Sequence, residues 1–460
     1  MKKPFTQPSS FPPLPEKQWK QKIQYELQGE DYNEKMVWES LEGIKVKPFY
    51  HPDSSSQNLA DSNQIKLVWN IAVNIHGKDN ALLNISKKQK LGVNSFILHL
   101  EKGELSIDEI LENDTNFFLQ GSLTSIEFLL KDTLMFNSKM SSFSILLDPI
   151  SQLVQTGNWF ENQHKDIAQT EKLATKFKEL SFKNTILIDA TTYQNAGANI
   201  VQELAYSTAH AFEYLQHLDP KLVEFPVFKV AIGGNYFFEI AKLRAIRILW
   251  ALIAKEYNLS TDCHIITQPS RRNKTLYSHH NNMVRTSLEH MSAINGGANT
   301  ICPQPYDFLF RRKNDHSDGL AINQLLMLQH ESYLNEVPPP VNGTYYIHSL
   351  TEQLSQKALQ LFKQIEAGGG LIKQLVTGTL QRKIKESAQK QQRLFDQQEH
   401  ILVGSNEFMD TTERMFDKME TSPFRNPNPR KTLTEPLLPI RLAEKWELAK
   451  LKQEGWKPTI

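Results

Sequence analysis

Residues 228–257 read FKVAIGGNYFFEIAKLRAIRILWALIAKEY, and the fold turns on how this stretch is parsed. Phe228 to Ile232 is a short β-rich run that stops at two glycines, Gly233 and Gly234. From Asn235 to Tyr257, Phe237, Ile240, Ala241, Leu243 and Ile248 recur among Glu239, Lys242 and Arg244. Apolar residues at that spacing predict an amphipathic helix. A strand, a tight break and a long helix form the repeating unit of a parallel α/β fold, because parallel strands need a crossover connection.

The same alternation extends in both directions. Upstream, Lys66 to Ile75, Ser95 to Leu100, Phe143 to Leu147 and Thr185 to Ile188 read as strands. Downstream, His264 to Thr267 and Asn299 to Cys302 do so as well. Alternation sustained this long favours a closed (β/α)8 TIM-type barrel over an open sheet. After Leu350 the pattern turns helical, with expected helices over Thr351 to Ala367, Gly378 to His400 and Arg441 to Gln453. The first 15 residues hold five prolines and read as an extended arm, followed by a helix from Glu16 to about Gly29. Residues 54–63 are polar and read as an exposed loop, and residues 421–440 as a proline-rich strap. The expected division is an arm and linking segment over 1–60, the barrel over 61–400 and a C-terminal extension over 401–460, the two ends being either arms that embrace a partner or simple disordered tails.

Charge and cysteine content narrow the function. Among 460 residues, 52 Lys and Arg nearly cancel 51 Asp and Glu, so no global field draws nucleic acid or an anionic membrane. No apolar run is long enough to span a bilayer, and Met1-Lys2-Lys3-Pro4 opens no signal peptide. Two cysteines, Cys263 and Cys302, supply neither a disulfide framework nor a zinc site. A cytoplasmic protein is expected.

Familiar catalytic signatures are missing: there is no phosphate-binding P-loop and no G-x-G-x-x-G after a strand. His279-His280 is read as a surface turn rather than a metal pair, since adjacent side chains point apart. Arg285 and Glu289, four apart, read as an ordinary surface pair. Arg271, Arg272 and Lys274 follow a strand end, where barrels place binding residues. They are either a phosphate or carboxylate contact or a solvated basic loop.

Several ordered blocks resemble the barrel of methylmalonyl-CoA mutase. Ala196-Gly197-Ala198-Asn199 with Glu203-Leu204-Ala205-Tyr206 is similar to the family's AGAD…ELAY. Residues 233–245, GGNYFFEIAKLRA, resemble GMNFFMEIAKMRA, and 281–286, NNMVRT, resemble NNVVRT. Asn342 to Tyr346 with Ile365-Glu366 and Gly368-Gly369 is similar to GGSYY…IE…GG. The resemblance implies a coenzyme B12-dependent carbon-skeleton rearrangement inside a dry barrel.

Three departures qualify it. The family's block H-x-Q-T-S-G, whose His donates to the thioester oxygen, here has Ile266 at the His, with Gln268 and Ser270 retained. The family's Tyr near the cobalt aligns with Asn74. The cobalamin signature D-x-H-x-x-G has only a near miss, Asp262-x-His264-x-x-Thr267, inside the barrel block, and too little chain follows for a cobalamin-binding domain. What the resemblance therefore implies is the small (beta) subunit of a heterodimeric mutase, itself non-catalytic and binding no cofactor or metal. Adenosylcobalamin would sit on a large (alpha) catalytic subunit, the expected partner. Gln268, Ser270, Arg271, Arg272 and Lys274 would be vestigial substrate contacts, with acyl-CoA a candidate ligand. The alternatives are an active substrate-binding subunit that uses a separate cobalamin protein, and an acyl-CoA-binding assembly factor.

Overall fold

The quoted stretch forms the strand Val227–Ile232 and the 21-residue helix Tyr236–Glu256. All six strand residues are buried, as befits a parallel strand covered on both faces. The computed structural model describes residues 14–54, 68–76, 81–100, 115–133, 140–424 and 430–456. The proline-rich residues 1–13 and most of the polar loop at 54–63 lie outside the described residues.

Ten strands are described. β1 (Trp38–Glu39) and β2 (Lys45–Val46) make a small antiparallel ribbon inside the N-terminal linking segment. The other eight are β3 (Asn70–His76), β4 (Ser95–Leu100), β5 (Asn116–Gly121), β6 (Phe143–Leu146), β7 (Leu187–Asp189), β8 (Val227–Ile232), β9 (His264–Pro269) and β10 (Thr300–Ile301). Their order is β6-β5-β4-β3-β10-β9-β8-β7, parallel throughout. A parallel bridge between Leu147 and Ile186, with Leu187 N donating to Leu147 O at 3.0 Å, joins the two ends. The eight strands thus close into the expected TIM-type barrel. β5 is the strand that the sequence reading omitted.

Strand residues alternate between two cores. Outward positions such as Phe96, Phe117, Phe143, Ile188, Val230 and Ile265 pack under the helical ring in the main core. Inward positions build a second, smaller core in which each of the eight strands contributes one side chain: Ala72, Ile97, Phe118, Leu146, Leu187, Val227, Ile266 and Cys302. From this layer the ring of Phe118 approaches that of His264, just below on the opposite wall, to 5.3 Å. The lumen is therefore filled at its middle rather than open from end to end.

The helical ring is held by charges as well as by apolar packing. The motif residues Glu203, Glu239 and Lys242 meet between the Ile200–His217 and Tyr236–Glu256 helices. Lys242 Nζ lies 2.9 Å from Glu203 and 2.6 Å from Glu239, and donates to Ala231 O at 2.6 Å. All three side chains are buried, and burial holds the Glu203 carboxyl well above the ordinary carboxylate range. These blocks, which carry the family resemblance, are scaffold.

The C-terminal extension lies on the barrel rather than projecting from it. Its strap donates from Leu433 and Thr434 to Gly157 O, from Leu437 to Val154 O, from Ile440 to Asn195 O and from Leu442 to Arg272 O. It thus crosses the short helices Pro149–Thr156 and Thr191–Ala196 that follow β6 and β7 and the loop that follows β9, and the helix Glu444–Gln453 completes it. The expectation that this end reaches out to a partner is corrected to this extent: residues 430–456 are anchored on their own barrel.

Candidate functional site

Barrel enzymes assemble their sites at the C-terminal ends of the strands, so the inward residues there define the candidate site. Ile266, at the position of the family's His, is fully buried in the apolar layer. Its side chain has neither donor nor acceptor. Asn74, on β3, also faces inward. Its Nδ2 donates to Cys302 Sγ at 3.0 Å, and its Oδ1 accepts from His99 Nε2 at 2.9 Å. His99 stacks on His76 at 4.4 Å, and burial, with the nearby charge of Lys229, lowers its pKa to about 3. It is a neutral imidazole, locked as an Nε2 donor.

The strand-end loop carrying the other candidates is not a solvated basic loop. Ser270 Oγ bonds the side-chain amide of Gln194 at 2.9 and 3.0 Å. Arg272 is buried, and its guanidinium is taken up by Gln391 Oε1 at 2.6 and 3.0 Å and by Ile440 O at 3.0 Å. Burial depresses its pKa to about 10. Lys274 is fully buried, donating to both oxygens of Glu289 at 2.8 Å and to Asn273 Oδ1 at 2.7 Å. Lys274 has no donor left for a substrate phosphate, and Arg272 is buried against its protein acceptors. Arg271 alone of the three is exposed, with its guanidinium 5.4 Å from the centre of the Phe308 ring. Gln268 points inward beside Ile266 and carries no described hydrogen bond.

Two further readings are corrected. Glu289 is not half of a surface pair, because it turns inward to Lys274. Arg285 instead donates to Thr275 Oγ1 at 2.9 Å and Asn282 Oδ1 at 2.8 Å. His279 does sit in a turn, yet it is buried against Tyr306 and Phe310, and burial brings its pKa down to about 4.

What sequence reasoning missed is the polar ring above the apolar layer: His99, Gln120 and Lys229. The available signal was period-2 alternation, which sets Lys229 on the same face as Val227 and Ala231. Beside this ring, between β3 and the loop after β10, lies a groove of about 260 Å³ lined in part by Asn74, His76, Phe308, Arg311, Arg312 and Lys313.

Among the described residues, the near-miss motif does not fit a bound cobalamin. His264, the imidazole of the near-miss motif, is turned into the lumen, where its Nε2 shares a 2.9 Å hydrogen bond with Thr300 Oγ1 beneath Phe118. It has no path to a metal outside the barrel. Among the described residues no cluster of His, Cys, Asp and Glu is arranged to hold a metal ion, and no helix is long and apolar enough to cross a membrane.

Comparison with known proteins agrees with this architecture. The family model for methylmalonyl-CoA mutase matches residues 135–435. The small subunit of methylmalonyl-CoA mutase from Porphyromonas gingivalis is 29% identical, over 98% of this chain and 79% of its own length. Methylmalonyl-CoA mutase from Rhizobium meliloti is 35% identical over 53% of this chain, a match that spans only 36% of that protein. The P. gingivalis large subunit is 32% identical over 52% of this chain and 34% of its own length. Most of the barrel is thus shared with the mutases, and the chain belongs to the methylmalonyl-CoA mutase family.

Proposed function

We propose that this chain is the small (beta) subunit of a heterodimeric methylmalonyl-CoA mutase and serves the holoenzyme structurally. The family's reaction depends on cobalamin. On this reading the large subunit holds the cofactor and interconverts methylmalonyl-CoA and succinyl-CoA, while the present barrel braces it. The observation that carries the proposal is Ile266: the position of the family's thioester donor is a buried hydrocarbon, set in the apolar layer beneath the barrel's C-terminal mouth.

Further support comes from two features. Both subunit types occur together in P. gingivalis, and each is similar to this chain. The N-terminal helix Glu16–Glu26 buries none of its residues and leaves Trp19 and Tyr25 exposed, as a segment awaiting a partner would. In the proposed division, residues 1–60 form that arm, 61–400 the barrel and 401–460 the extension. Both cysteines are free thiols, which favours a reducing compartment, the cytoplasm.

The test is reconstitution. The chain is mixed with its cognate large subunit, sedimented, and assayed with methylmalonyl-CoA and adenosylcobalamin. A 1:1 complex with activity, and none from this chain alone, is expected. Turnover by the isolated chain, or failure to co-sediment, rejects the proposal.

A further inference from the structure

Residues 47–50 of the N-terminal linking segment and residues 344–346, at the start of the Tyr345–Ala367 helix, enclose a groove of about 470 Å³. It shares no lining residue with the groove between β3 and the loop after β10. Aromatic rings line and flank it. Trp19 lies against Phe49 with ring centres 5.9 Å apart, Tyr50 against Tyr346 at 5.0 Å, and Tyr346 against Phe237 at 5.3 Å. These contacts leave much ring surface uncovered: Trp19 is 49% and Phe237 45% exposed, and Phe49, Tyr50 and Tyr346 are only half-buried. Contiguous apolar surface left open in this way marks a binding face.

The occupant follows from where the chain enters. Glu16, the first residue of the N-terminal helix, pairs with Lys47 Nζ at 3.3 Å, and its amide donates to Asp53 Oδ2 at 3.3 Å, so the helix begins at the rim of the groove. Pro15, just before it, has φ −71° and ψ 156°, the polyproline II conformation. Residues 1–13 therefore join the described chain at this rim, and four of them are prolines: Pro4, Pro8, Pro12 and Pro13. Proline disfavours helix and strand and pre-orders an extended polyproline II backbone, whose carbonyl groups have no internal partners. Grooves walled by aromatic rings recognise such backbones, because the rings pack on the pyrrolidine faces while their polar edges donate to those carbonyls. Here Tyr345 and Tyr346 supply hydroxyls and Trp19 an indole N–H.

We propose that residues 1–13 of this chain dock in the groove as a polyproline II strand lying across Phe49, Tyr50 and Tyr346. The short tether favours the chain's own arm over a foreign one, since it holds the local concentration in the millimolar range. The N-terminal arm thereby lies on its own chain, as the C-terminal strap does, and shields rings that water would otherwise cover. The site requires neither cobalamin nor a large subunit, so it stands apart from the structural role proposed above.

The test is a calorimetric titration with a synthetic peptide of residues 1–13. It is added to the full chain, and to the full chain carrying Pro4→Ala, Pro8→Ala, Pro12→Ala and Pro13→Ala. The substituted chain, its own arm undocked, is expected to bind the peptide. The wild type should bind it about tenfold more weakly, because its groove is already filled. Amide exchange at Phe49, Tyr50 and Tyr346 should quicken in the substituted chain and slow again when the peptide is added. Adding Tyr346→Ala to the substituted chain should weaken peptide binding by about tenfold or more, and Tyr346→Phe, which keeps the ring, should retain part of it. The comparison of the two arms does not depend on either of those variants folding. Equal binding by the wild type and the substituted chain, or binding by neither, overturns the proposal. So does self-association of the wild type on sedimentation that the four substitutions abolish, since it would place the arm on a second copy.

Discussion

Lys274 donates to both carboxylate oxygens of Glu289 at 2.8 Å, across the joint between the loop after β9 and the Asn281–Gly296 helix, and neither side chain reaches solvent. Burial pushes the lysine's pKa down and the glutamate's up, so each group holds its charge because of the other. Removing one member strands the other. Lys274→Met is expected to cost about 3–5 kcal/mol of folding stability, whereas Lys274→Met combined with Glu289→Leu should recover most of that loss. Urea denaturation of the two variants checks the pair, and equal losses would show that it is worth no more than its packing.

Why the sequence revealed the barrel but not this pair is a matter of range. Phe228 to Ile232 and the helix behind it advertise themselves through local periodicity, which is why strand positions such as Ser95–Leu100 could be read directly. β5 was harder. Asn116–Gly121 is a short run buried on both faces, with no clean alternation to separate it from a helix fragment. Lys274 and Glu289 lie fifteen residues apart, and Arg272 finds its acceptors at Gln391 and Ile440, 119 and 168 residues away. A string of cations reads alike whether it will be solvated or consumed. Only the folded distances separate Arg271, over Phe308, from its buried neighbours.

Ile266 offers a direct test of the filled lumen. Truncating it to alanine removes three carbon atoms from a layer closed on every side and should cost about 2–5 kcal/mol, measured by chemical denaturation. The reconstituted heterodimer should nevertheless turn over at the wild-type rate whenever the chain remains folded. Ile266→His restores the family's residue but inserts a polar ring among Ala72, Phe118 and Leu187, with a destabilisation of about 1–3 kcal/mol for the unmade hydrogen bonds. No activity is expected from the isolated variant, and measurable turnover would reassign this barrel as catalytic.

Acid should unfold the chain early. His290 is buried and His99 and His264 are half-buried in the lumen, and desolvation lowers each pKa to about 3. In the unfolded chain a histidine titrates near 6.5. Between those values the unfolded state binds more protons, so stability is full above about pH 6.5 and declines as the pH falls toward 3. Each group contributes a slope of up to about 1.4 kcal/mol per pH unit. Unfolding free energies at pH 7, 6 and 5 should therefore fall progressively. Replacing His264 with Gln should flatten the curve by one group's share, and an unchanged slope would mean that His264 is charged in the native state.

The strap across the strand-end loops rests on a glycine. Gly157 has φ of +77°, a conformation that favours glycine, and its oxygen accepts from both Leu433 N and Thr434 N at 3.0 Å. A methyl group there would collide with the Thr434 carbonyl and come within 2.9 Å of Thr432 Cβ. Gly157→Ala should therefore lift the strap while leaving the barrel closed, because the three atoms nearest the new methyl group all belong to the strap. Amide hydrogen exchange is expected to quicken at Leu433, Thr434 and Leu437, and to stay unchanged at Phe96, Phe117 and Val230 in the strands. Arg272→Met attacks the same strap from its other end, by withdrawing the guanidinium that holds Ile440 O and Gln391. If the strap only decorates the rim, both variants should assemble normally with the large subunit. A matching loss of assembly in the two would instead make the docked strap part of the surface on which the heterodimer forms.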